Sequence, residues 1–126
     1  MILADSSVWI AHFRSANPTF AALLDSDQVV THPFVIGELA CGQIADRGTF
    51  LRWLRGMRSA PEATHAEALA FIQGRRIMGR GAGYGDVHLL ASCKLTDDTK
   101  LWTLDRRLAT IAGELSIGFS PSEPTS

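Results

Sequence analysis

Apolar runs of two periods alternate along the chain, and the alternation predicts strands interleaved with helices. Ile2-Leu3-Ala4 is a short apolar run that ends at Asp5-Ser6-Ser7, a helix-start signal. A strand is therefore expected to lead into a short helix through Val8, Trp9, Ile10 and Phe13. Asn17-Pro18 opens a second helix, with Phe20, Leu23 and Leu24 on one face. Gln28-Val29-Val30-Thr31 is β-branched enough for a second strand. Pro33 suits the first turn of a helix whose apolar positions are Val35, Ile36, Leu39, Ala40 and Ile44.

A further helix is expected from Thr49 to Met57, with Phe50, Leu51, Trp53, Leu54 and Met57 packed inward. Arg52, Arg55 and Arg58 recur every three residues on another face, and Ser59-Ala60-Pro61 breaks the pattern. Thr64 to Met78 reads as helix, and Thr64 and Glu67 have the spacing of a capping box. Gly79 to Gly85 reads as a flexible loop, after which Asp86 starts a helix through Leu89, Leu90 and Cys93. Lys100 to Leu104 is a strand closed by Asp105, which leads into the last helix. A final strand is expected over Ile117 to Phe119, ahead of a loose Pro/Ser-rich tail at 121–126. Strands alternating with helices imply an α/β domain with a short, mostly parallel central sheet. Helix outweighs strand, so helices should surround that sheet.

Composition narrows the class. The chain has 126 residues, 46% of them hydrophobic, and a formal net charge of -1, which fits one compact domain spanning 1–120. No apolar run approaches the roughly 18 residues that a membrane span needs. Met1 to Ala4 meets Asp5 with no basic leader, so no secretory signal is expected. Cys41 and Cys93 lie in apolar runs and are read as small core residues in a reducing cytoplasm. Ten of the twelve basic residues are arginines. Arginine suits bidentate phosphate contacts, although codon usage in a GC-rich genome would give the same bias.

Four acids carry the chemical signal. Asp5, Asp86 and Asp105 stand where helix N-caps belong, and capping alone would account for any one of them. Glu38 has no such role: it lies mid-helix between Val35-Ile36 and Leu39-Ala40, beside the apolar stripe. Asp5 and Asp105 each follow a strand, and ligand sites in parallel sheets form beyond the carboxyl ends of strands. Carboxylates gathered without a counter-charge would raise each other's pKa. Bound Mg²⁺ or Mn²⁺ removes that penalty, activates water and stabilises charge on a phosphate.

Asp5-Ser6-Ser7, Glu38 within a helix, Asp86 leading a helix and Thr103-x-Asp105 together resemble the PIN-domain ribonucleases, in particular the VapC-type toxins. The resemblance covers nearly the whole chain. It implies a PIN-like fold, metal-dependent endoribonuclease activity, a homodimer, and inhibition by a small cognate antitoxin whose tail occupies the active site. It also implies that Asp5, Glu38, Asp86 and Asp105 form the acidic quartet, with Asp5 and Asp86 as direct metal ligands. Ser7 matches the hydroxyl residue that supports the first Asp, and Trp9 matches a bulky core position.

Other signals are set aside. The glycine stretch lacks the Gly-Lys-Ser/Thr ending of a P-loop and the spacing of a dinucleotide fingerprint. His65-Ala66-Glu67 is not followed by the cysteine pair of a zinc deaminase, and no nucleophile elbow is present. His12 and His32 read as surface or loop residues. His88 reads as a surface residue, or as one facing the acids. Arg52, Arg55 and Arg80 form either a solvated face or an RNA track that offsets the negative site. The sequence leaves two rival functions open. A phosphoacceptor receiver-like domain has similar length, but here the first strand lacks paired acids. The other is a catalytically silent antitoxin-binding module.

Overall fold

In the computed structural model, which describes residues 1–121, three parallel strands form the centre: β1 (Ile2–Ala4), β2 (Val29–Val30) and β3 (Lys100–Trp102), in the order β2-β1-β3. Ile2 pairs with Val29 and Lys100, and Ala4 pairs with Trp102. β1 is flanked on both sides, which explains why Leu3 and Ala4 are fully buried and no polar residue interrupts the run. Single-residue parallel bridges extend the sheet at both edges, Thr31 to Ser59 and Leu101 to Gly118. The strand expected at 117–119 is thus one bridge at Gly118. Ser59 joins the other edge where the sequence suggested only a break.

Among the described residues seven helices surround the sheet: α1 (Ser6–Arg14), α2 (Pro18–Asp25), α3 (Pro33–Ala40), α4 (Arg47–Gly56), α5 (His65–Arg75), α6 (Tyr84–Lys94) and α7 (Arg106–Glu114). The expected α/β architecture is present. The caps largely follow the sequence signals. Asp5, Asn17 and Asp105 cap α1, α2 and α7 through their side chains, and Thr64 and Glu67 form a reciprocal capping box on α5. α5 stops at Arg75, short of Met78, because Arg76 turns left-handed with φ 54°. α3 ends at Ala40, leaving Ile44 in the following loop. Among the described residues no helix is long and apolar enough to cross a membrane. Of the tail, 122–126 lie outside the described residues.

The core gathers around Trp9. Its ring meets Phe20, Phe50 and Trp53 edge-on at 4.8, 5.9 and 5.8 Å and Phe13 at 6.3 Å, tying α1 to α2 and α4. Trp53 contributes one edge of its ring and stays 48% exposed rather than packing inward. Leu54 is the α4 residue that is fully enclosed. Cys93 is buried, as a small core residue should be, but Cys41 is exposed just beyond α3.

His32 departs furthest from its sequence reading. It is 1% exposed and caps α3: Phe34 N–H donates to its Nδ1 at 3.0 Å. That hydrogen bond assigns the neutral tautomer with the proton on Nε2. Burial, and then His88 nearby, lower its pKa to about 4. Native structure therefore holds the ring neutral. Its contribution to stability is complete above pH 6.5, and is lost as pH falls from there to about 4. Denaturant titrations at pH 7.5 and pH 4.5 are expected to differ by about 2.5 kcal/mol from this group. In His32→Asn, which can cap but cannot titrate, that component should vanish. An unchanged pH profile in His32→Asn would remove His32 as its cause.

Candidate active site

Parallel pairing brings the carboxyl ends of β1 and β3 to one edge, where Asp5 N–H donates to Trp102 O at 3.0 Å. Asp5 is 6% exposed, and its carboxylate is held by two hydroxyls. Ser7 Oγ donates to Oδ1, and Thr103 Oγ1 donates to Oδ2. Val8 N–H also reaches Oδ1, at 3.3 Å, as the α1 cap. Both hydroxyls are themselves oriented: Leu104 N–H donates to Ser7 Oγ at 3.0 Å, and Asp105 N–H to Thr103 Oγ1 at 3.1 Å. A carboxylate offers about four lone-pair positions. These donors fill three of them, leaving one on Oδ2. The support expected from Ser7 is present. The matching role of Thr103 is additional, and its hydroxyl at a strand end two residues before Asp105 was the available signal.

Glu38 lies on α3 and Asp86 on α6, two helices packed against each other. Asp86 sits one turn further into its helix than the sequence implied. Gly83 is the N-cap, and Asp86 at the third position accepts from Gly83 N–H at 3.0 Å through Oδ2. Tyr84 and Gly85 belong to the helix rather than the loop. Burial first, then Asp86 and Asp5, raise the pKa of Glu38. Burial raises that of Asp5 too; its hydroxyl and backbone donors lower it, and Asp86 adds to the rise. Three carboxylates from three elements therefore act on one another. Among the described residues neither ion pair touches them: Arg58 is paired with Asp27 and Arg80 with Glu114.

Asp105 is joined to this group through Thr103. Its Oδ1 caps α7, accepting from Arg107 and Leu108 N–H at 2.9 and 3.2 Å, while Oδ2 has no hydrogen-bond partner among the described residues. No set of three His, Cys, Asp or Glu side chains among the described residues is drawn in tightly enough to hold a cation as it stands. The donor set nonetheless fits a hard divalent cation. It is all carboxylate oxygen, mutually repelling, and among the described residues none of it is ion-paired to a Lys or Arg.

Glu38 stands where two clefts meet. One, about 310 Å³, runs between α1 and α3 and includes Ile10, Phe13, Arg14 and Ile44. The other, about 490 Å³, lies between α3 and α6 and is lined by Phe34, Gly37, Cys41, Tyr84 and Gly85. His88 does not reach the acids. It is 5% exposed, packed edge-on against Phe34 and Tyr84 at 4.5 and 4.6 Å, so neither sequence reading of it holds. Arg52 and Arg55 are exposed on α4. Arg80 is held by both carboxylate oxygens of Glu114 at 2.6 and 2.8 Å, which competes with any phosphate.

The sequence matches the family model for the PIN domain over residues 2–114. It is similar to Ribonuclease VapC32 of Mycobacterium tuberculosis, both in strain CDC 1551 / Oshkosh and in strain ATCC 25618 / H37Rv. Each relative is 41% identical over 120 residues, covering 95% of this chain and 97% of the relative.

Proposed function

The chain belongs to the PIN-domain family, and from that premise we propose that it is a metal-dependent endoribonuclease acting as the toxin of a toxin–antitoxin pair. The observation that supports this reading is that Asp5, Glu38 and Asp86, from three elements, lie near enough for Asp86 to raise the pKa of the other two, while none of the three is ion-paired among the described residues. The phosphoacceptor alternative loses its footing with the family match.

Asp5 and Asp86 would hold Mg²⁺ or Mn²⁺ directly, with Glu38 and Asp105 completing the acidic set. Such an ion supplies an activated water and stabilises the charge that develops on a phosphate in an in-line displacement. The chain's own residues prepare for that. Ser7 and Thr103 fix the rotation of the Asp5 carboxylate, and the Gly83 N–H fixes that of Asp86. Preset ligands need no reorganisation when charge develops. Arg52 and Arg55 would hold the RNA backbone that the acids repel. Their helix, α4, also presents Trp53, which packs on the same Trp9 ring as Phe13, a residue of the α1/α3 cleft. That apolar cleft, opening at Glu38, would receive the tail of a cognate antitoxin. We place the protein in the cytoplasm as a homodimer of one nuclease domain over 1–120.

The direct test is incubation of a mixed pool of unlabelled RNAs with the purified protein in Mn²⁺, in EDTA, and in EDTA followed by excess Mn²⁺. Cleavage is expected in the first, none in the second, and recovery in the third. Cleavage that persists through chelation would exclude the metal-dependent reading.

A further inference from the structure

The α3/α6 cleft has more aromatic surface than a nuclease needs merely to hold a phosphate. Phe34 and Tyr84 flank it and remain 36% and 41% exposed, with ring centroids 6.2 Å apart. Isolated exposed rings are ordinary on protein surfaces. These two share one support, because both stand edge-on against buried His88, at 75° and 81°. Tyr84 is held a second time, its hydroxyl bonded to His65 Nδ1. Rings fixed in this way lose little freedom when something stacks on them.

Between the rings the lining is small. Gly37 and Gly85 take part in it, and a Cβ added at Gly37 would meet nothing within 4 Å. A glycine inside a helix weakens that helix by roughly 1 kcal/mol relative to alanine. Nothing in the packing of α3 requires Gly37. What its missing side chain does provide is open space in the cleft.

We infer that this cleft is a stacking subsite for an unpaired base of the RNA substrate, beside the scissile phosphate. The inference rests on the nuclease reading above. A phosphate that the proposed metal ion would hold at the acidic site carries its base one sugar away, and Glu38 is itself part of the cleft wall. An uncharged planar base meets no repulsion from Glu38, whereas a second phosphate would. Paired bases are shielded inside a duplex, so the subsite favours single-stranded or looped RNA.

Steady-state cleavage of a fluorescein-labelled, mixed-sequence single-stranded RNA in Mn²⁺ tests this. Phe34→Ala and Tyr84→Ala are each expected to raise KM about five- to hundredfold, with kcat changed much less. Tyr84→Phe keeps the ring and should stay within about threefold of wild type in the same assay. Gly37→Leu should raise KM similarly by filling the cleft. Its thermal midpoint should not fall, since leucine is the better helix former. If wild type cleaves and all three cleft variants retain its KM, the subsite is wrong while the nuclease reading survives. If wild type itself cleaves no RNA, the nuclease reading fails first. Loss of self-association or of antitoxin binding in these variants, with KM unchanged, would assign the cleft to a protein partner and overturn the inference.

Discussion

Asp5→Asn is expected to cleave RNA about a thousandfold more slowly than wild type, or not at all, while unfolding at a higher temperature. Both effects come from the same burial. Asp5 is almost fully enclosed, and burial and Asp86 push its pKa up. A carboxyl whose folded pKa is raised favours the protonated native state. Its stabilising contribution is complete at acid pH and is lost as pH rises through that raised pKa. At neutral pH the ionised group therefore weakens the fold. Asparagine is uncharged and nearly isosteric. Its oxygen can still accept from Ser7 and Val8, and its amide can donate to Thr103, whose hydroxyl can rotate. The fold keeps its hydrogen bonds and loses the buried charge. On the proposed reading the activity loses a metal ligand that the hydroxyls orient, a loss on the scale seen when one charge-stabilising group is removed. Asp86→Asn should likewise abolish cleavage. Calorimetric melting beside a gel assay with excess Mn²⁺ checks the pair, and full activity in both variants would sink the acidic-site reading.

Trp9→Ala should cause the largest loss of stability of any single truncation. The indole is 1% exposed and touches Phe13, Phe20, Phe50 and Trp53. Removing a buried tryptophan costs about 4 kcal/mol through lost transfer energy and the cavity left behind. That is a large part of what a small domain has in total. The thermal midpoint should fall by roughly 15 °C. Trp9→Phe should be much milder. The indole Nε1 is buried without a hydrogen-bond partner among the described residues, so its removal forfeits no bond. Because Asp5 caps the helix that carries Trp9, activity of Trp9→Ala should track its folded fraction. Urea unfolding of the two variants measures the difference; equal losses would argue against the aromatic cluster as the anchor of α1.

Much of this structure is legible in the sequence because its signals are local. Ile2-Leu3-Ala4 ending at Asp5, and Lys100-Leu101-Trp102 followed by Thr103-x-Asp105, encode strand, cap and helix within a few residues. Glu38 was conspicuous because a charge beside an apolar stripe has no local excuse. Its neighbourhood was not legible, since Asp5 and Asp86 reach it only through the sheet and the packing of α6. Asp86 lies one turn inside α6 because Gly83, with no side chain to advertise a cap, starts the helix. Cys41 sits at the end of an apolar run, but α3 stops before it. His32 packs on Phe34, and His88 on Phe34 and Tyr84, partners that no pattern of periodicity identifies. Edge pairings at Ser59 and Gly118 are a single residue wide, too short to leave a strand signature.

The proposed convergence of Asp5, Glu38 and Asp86 on one divalent cation can be tested without RNA. Mn²⁺ titrated calorimetrically into the wild type should bind saturably and raise its melting temperature by mass action. Affinity should fall at least about tenfold in Asp5→Asn and Asp86→Asn, and less in Glu38→Gln if its contact runs through water. Equal Mn²⁺ affinity in wild type and in both Asn variants, or no saturable binding in wild type, would contradict it.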